Sequence, residues 1–180
     1  MNNKTQNIEP SNQNFRSSEL VAACIDAIEE GNTAALGQIV TTAERANWQL
    51  PKCPRYDLLI HAVIHRDHGV VELLLERGAN PNVVLCDCEC IDDYEGLLEG
   101  HYVSALMLAI NHQDSELVRL PLARGASLDL PIFVFWDGTR ETCGDRIDST
   151  GNVAMQAAAE KWLLQQEVSD DEVDERSRRL

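Results

Sequence analysis

The chain has 180 residues, 44% of them apolar, and carries a formal charge of -15 at neutral pH. That length suits one domain with a useful core, and no apolar run approaches the roughly 20 residues that a membrane-spanning helix needs. The acidic balance weighs against nucleic acid or an anionic membrane as a partner and suits a basic protein, although many acidic proteins are merely soluble.

Residues 1–17 are polar, rich in Asn and Gln, and read as a disordered tail with Phe15 as its one apolar anchor. They hold no apolar signal-peptide core, which argues for a cytoplasmic protein and leaves delivery by a specialised secretion machine open. Ser17 or Ser18 then caps a helix that carries Leu20, Val21, Ala23 and Cys24. Trp48 to Pro54 holds two prolines and reads as an extended connector.

From Asp57 the pattern sharpens. DLLIHAVIHRDHGVVELLLERGANPN reads as two short amphipathic helices, closed at Gly78 by a turn that needs a left-handed residue. A second copy, SALMLAINHQDSELVRLPLARGASLD, runs from Ser104 to Asp129 and aligns without a gap at a spacing of 47 residues. Leu59 falls on Leu106, Ala62 on Ala109, Val71 on Val118, and Arg77-Gly78-Ala79 on Arg124-Gly125-Ala126. Helix pairs of this size cannot bury their apolar faces alone, so they must stack on neighbours.

Between the copies, residues 83–103 form a long insertion with six acids (Asp87, Glu89, Asp92, Asp93, Glu95, Glu99) and no Lys or Arg. An extended arm is expected there, and its dense charge with Tyr94 and Tyr102 favours a functional loop. Pro121 interrupts the second copy at an interior position, which predicts a kink or a later helix start. Residues 130–149 form a second insertion. PIFVFW is strand-like, Asp137-Gly138 marks a turn and TRETC can return antiparallel, which gives an elongated hairpin. Trp136 near its tip is a candidate anchor, against the competing reading that Phe133, Phe135 and Trp136 pack on the preceding repeat. Residues 150–166 read as a capping helix and 167–180 as a charged, disordered tail.

The two copies resemble the ankyrin-repeat family, whose unit of about 33 residues is a turn, two antiparallel helices and a hairpin loop. On that resemblance residues 18–54 are a degenerate first repeat, with Ala27 and Ile28 on Ala62 and Val63 and with Gly31-Asn32 between its helices. The family's Thr-Pro-Leu-His opening is absent. Asp57-Leu58-Leu59-Ile60 stands there, so Asp57 takes over the cap and the contact between repeats becomes more apolar. The implied fold is all-α: one domain over 18–166, a short solenoid of helix-turn-helix units with two long inserted hairpin loops on one edge.

The resemblance also implies a protein-binding module, in which partners meet the hairpin fingers and the exposed side of each first helix. Carried over by position, the fingers give Asp87, Glu89, Asp92, Asp93, Tyr94, Trp136 and Arg140, and the helices give Ile64, His65, Asn111 and His112. A general adaptor, a dedicated inhibitor such as an antitoxin-like or immunity protein, and a bacterial effector that captures a host protein all fit this expectation.

Chemistry is sparser. No phosphate-cradling glycine loop, nucleophile elbow or HExxH is present, so no catalytic residue and no cofactor is assigned. The six cysteines are unevenly spread and read as reduced thiols. Cys86, Cys88 and Cys90 would share one strand face and raise a thiol metal site with a sensing role. Structural zinc prefers paired cysteines, however, and no second pair stands out. His61 and His65 are spaced for one helix face, yet the sequence places no third ligand beside them, so no metal site is assigned.

Overall fold

The computed structural model describes the backbone of residues 11–50, 53–86, 100–135 and 137–177. Eight of its helices pair off. The pairs are α1 (Ser11–Glu29) with α2 (Thr33–Ile39), α4 (Leu58–His65) with α5 (His68–Glu76), α6 (Ala105–Asn111) with α7 (Ser115–Ala123), and α8 (Cys143–Thr150) with α9 (Val153–Ser177). A single turn, α3 (Ala43–Ala46), follows the first pair. The first helices stack in the order α1, α4, α6, α8, and the second helices in the order α2, α5, α7, α9. This two-layer stack is the mainly helical solenoid expected from the sequence.

Local chemistry fixes each pair. Between its two helices stands one left-handed residue followed by an Asn or Asp cap: Gly31-Asn32, Arg66-Asp67, Gln113-Asp114 and Gly151-Asn152. The side chain of the cap accepts a backbone N–H of the first turn of the second helix, for example Val70 N to Asp67 at 3.0 Å. First helices are capped in the same way by Asp57, Ser104 and Thr142. The second helices α5 and α7 close identically. Ala79 N donates to Leu74 O and Ala126 N to Pro121 O, each at 3.0 Å, across Gly78 and Gly125 at φ +90° and +85°.

The core runs through the centre of the stack. Leu58, Leu59, Ile60, Ala62 and Val63 of α4 are all buried, because this helix is covered on both sides by α1 and α6. Cys24 and Cys143 are free thiols within this core, pushed up to about 11 and about 12 by burial. Burial thus favours their thiol form at neutral pH.

The hairpins add β structure. β1 (Gln49–Leu50) pairs with β2 (Cys53–Asp57) ahead of α4. β3 (Leu85–Cys86), β4 (Gly100–Val103), β5 (Pro131–Val134) and β6 (Arg140–Thr142) form one antiparallel sheet in chain order. The two inserted hairpins thus join edge to edge through β4 and β5.

Several boundaries differ from the sequence reading. Helix α1 starts at Ser11, inside the segment taken as a tail. The single capping helix expected at 150–166 is replaced by two, since α8 occupies the end of the segment taken as an insertion. Helix α9 runs on to Ser177, past the expected boundary at 166. Helix α7 continues through Pro121 to Ala123. The donor that proline lacks would have served the Leu117 carbonyl, only one turn before the helix closes.

Candidate interaction surface

The sheet presents a row of aromatic rings. Along β5 the pleat sends Ile132 and Val134, each 2% exposed, into the core, and so sends Phe133 and Phe135 to the other face. His101 on β4 stands opposite Phe133 in register. The His101 and Phe133 rings meet edge to face with centroids 4.7 Å apart, as do the Phe133 and Phe135 rings. Phe135 remains 44% exposed. Two neighbouring aromatics and an exposed imidazole thus lie together on one face of the sheet.

The turn beyond Phe135 is well tied. Phe135 N donates to Thr139 O at 2.8 Å, and the Asp137 carboxylate accepts both the Thr139 backbone N–H at 2.9 Å and its hydroxyl at 2.7 Å. Those hydrogen bonds hold the Asp137 carboxyl below the usual carboxylate range. Arg140 is exposed at the start of β6. Trp136, and Asp87, Glu89, Asp92, Asp93 and Tyr94 of the acidic arm, lie outside the described residues. The arm occupies the connection between β3 and β4, so both of its ends are anchored in the sheet.

The helix residues inferred from the resemblance fall elsewhere. Ile64 and His65 end α4, Asn111 ends α6 and His112 is the C-cap of α6. Ile64, His65 and Asn111 are exposed, while His112 is half-buried. Among the described residues, β2 and β4 lead into the N-terminal ends of α4 and α6, whereas these four residues lie at the C-terminal ends.

At the root of the β5–β6 hairpin the structure brings together acids that sequence reasoning missed. A groove of about 470 Å³ is lined by Asp129, Asp145, Asp148 and Glu160, with Leu128 and Leu163 as its apolar walls. Asp145 forms a capping box with Thr142, whose hydroxyl and backbone N–H hold its carboxyl low and therefore ionised. Recognising Gly151-Asn152 as the same linker as Gly31-Asn32 would have revealed α8, and with it this groove.

One trio among the described residues has metal-ligand character. Glu29 at the end of α1 and His61 and His65 on α4 place their donor atoms within 4.8 Å of one another. His61 Nε2 lies 3.6 Å from Glu29 Oε1, and the two imidazole rings meet edge to face at 4.7 Å. Burial and the neighbouring His65 lower the His61 pKa, against the opposing pull of Glu29.

No helix among the described residues is long and apolar enough to cross a membrane. No curated protein matches the chain in sequence. Residues 57–84 match the family model described as ankyrin repeat. Such repeats are generally protein-protein interaction modules, and the match covers α4, its linker and α5, the pair whose caps and closing turn recur in the helix pair behind it. The segment 57–84 thus matches an ankyrin repeat and is set in a mainly helical stack of helix pairs consistent with an ankyrin-like fold.

Proposed function

We propose that this chain is a stoichiometric binding module that takes a basic protein partner at its hairpin sheet. The observation that carries the reading is the row His101, Phe133 and Phe135, exposed at His101 and Phe135, which lies on β4, at one end of the acidic arm, and along β5 beside it. Aromatic side chains are enriched at protein interfaces and dominate their energetics when a partner covers them. The six acids of the arm then give the contact its charge preference and speed encounter with a basic surface. Asp129, Asp145, Asp148 and Glu160 extend the acidic field to the root of the second hairpin.

In this reading the helices are a frame and the sheet is the site. The mechanism is occlusion: aromatic rings supply buried area, carboxylates meet Lys and Arg side chains, and no bond is made or broken. A dedicated inhibitor of a basic enzyme and a captor of a basic host protein would both work in this way. The test is affinity capture from the native cell with the intact chain and with residues 86–99 replaced by a short Gly/Ser loop. Loss of the captured protein is expected, and capture that is unchanged would move the site away from the arm.

A further inference from the structure

We propose that Glu29, His61 and His65 form a site for a first-row divalent metal ion, with Zn2+ as the test ion, that ties α1 to α4. The argument begins with helix geometry. Residues four apart project from the same face of an α-helix, so His61 and His65 present adjacent imidazoles on α4. A histidine pair of this kind lacks only a third donor. The fold supplies one from 32 residues upstream, because α1 packs on α4 and ends at Glu29 beside the pair.

The His61–Glu29 distance suits an ion, and His65 has its donor within 4.8 Å of both. Two donors of a tetrahedral Zn2+ at about 2.0–2.1 Å stand about 3.4 Å apart. His61 Nε2 and Glu29 Oε1 are 3.6 Å apart, too long for a hydrogen bond and close to that spacing. His61 Nε2 is buried and has no hydrogen-bond partner, although buried polar nitrogens are nearly always satisfied. A coordinate bond from its lone pair would satisfy it. His65 and Glu29 are both exposed, so their side chains can turn to close the remaining gap and the ion can enter from solvent.

Two imidazoles and one carboxylate are a donor set for Zn2+, Ni2+ or Cu2+ rather than for Mg2+ or Ca2+, which prefer oxygen ligands alone. Three protein donors leave a fourth position to water. The consequence is mechanical. The degenerate first repeat meets the ankyrin repeat at α1 and α4, and a bound ion would add a clip across that junction.

The chain also carries Cys86, Cys88 and Cys90, so the experiment must separate nitrogen and oxygen ligation from thiolate ligation. Zn2+ is titrated by calorimetry into the chelator-treated full chain in which those three cysteines are serine, with thermal unfolding followed in parallel. Co2+ loading supplies a spectrum in which thiolate ligation shows as a charge-transfer band. One ion per chain is expected, with no thiolate band and with a rise in the unfolding midpoint. His65→Ala and Glu29→Gln change exposed side chains and leave the fold intact. Each is expected to weaken Zn2+ by more than about tenfold, the least that loss of even an outer ligand partner costs, and to abolish the thermal shift. His68→Ala, outside the trio, is expected to bind as the parent does. Absence of binding in the serine background, or binding that survives both His65→Ala and Glu29→Gln, would overturn the assignment.

Discussion

Asn82 clasps the turn at Gly125. Its side-chain amide donates to the Gly125 carbonyl at 2.9 Å, and its oxygen accepts Ser127 N at 2.8 Å. Asn47 makes the same clasp one repeat earlier, donating to Gly78 O at 2.9 Å and accepting Asn80 N at 2.7 Å. Each closing turn is therefore pinned by an amide from the segment before it, and stability passes from repeat to neighbouring repeat. Asn82→Ala removes both bonds and should cost about 1–2 kcal/mol in urea unfolding. Asn82→Asp keeps the acceptor, loses the donor and turns a carboxylate towards the Gly125 carbonyl. It should be no better than the alanine variant.

The two closing glycines are not equivalent. A Cβ at Gly78 would stand 2.9 Å from Ala43 Cβ, whereas one at Gly125 meets nothing within 4 Å. Both alanine variants bear the backbone cost of a left-handed L-residue, about 1–2 kcal/mol. Gly78→Ala should lose measurably more, and Ala43→Gly should recover that excess in a double-mutant cycle while leaving Gly125→Ala unaffected.

Asp57 caps α4 from a buried position, accepting Ile60 N at 2.8 Å. Burial raises its pKa, so folding favours the protonated acid. Its contribution is fully present below about pH 4, the unfolded carboxyl value, and is lost as pH rises through the higher folded value. Asn can make the same cap without a charge. Asp57→Asn should thus match or exceed the parent at pH 7 and lose this part of the pH dependence, while Asp57→Ala should cost about 1–2 kcal/mol.

Glu141 has the opposite sign. Arg146 grips it with bonds of 2.6 and 2.9 Å and holds its carboxyl low. The stability it adds is present above about pH 4 and is lost as pH falls through the depressed folded value. Glu141→Gln should therefore lower stability at neutral pH and flatten the fall on the acid side of the profile in denaturant titrations between pH 2 and 5.

Much of the stack is legible in the residues. The 47-residue match of 57–82 with 104–129 carries two helix pairs, because their apolar spacing and Arg-Gly-Ala closures are local signals. Helix α8 is harder to see. CGDRIDST is polar and buries only Cys143 and Ile147, so no apolar period announces it. Helix α9 continues into a charged segment that offers no apolar stripe. The trio of Glu29, His61 and His65 is illegible in principle, since α1 meets α4 only through tertiary packing. In the sheet, Phe133 and Phe135 stand out as a strand, but their neighbour His101 follows only from the β4–β5 register.

The aromatic row makes a separable prediction. Phe135→Ala removes a partly exposed ring that packs on Phe133 and should cost only about 0.5–1.5 kcal/mol in stability. A captured partner should nevertheless bind it at least about tenfold more weakly, as expected for a central interface aromatic.

The charge of the site decides between the sheet and the helix ends. The affinity of the captured partner is to be measured by calorimetry at low and high salt, for the intact chain and for the chain with residues 86–99 replaced. Steep weakening with salt for the intact chain, and a shallow dependence for the replaced one, is the result that binding of a basic partner by the acidic arm predicts. Equal affinities with no response to salt would contradict it.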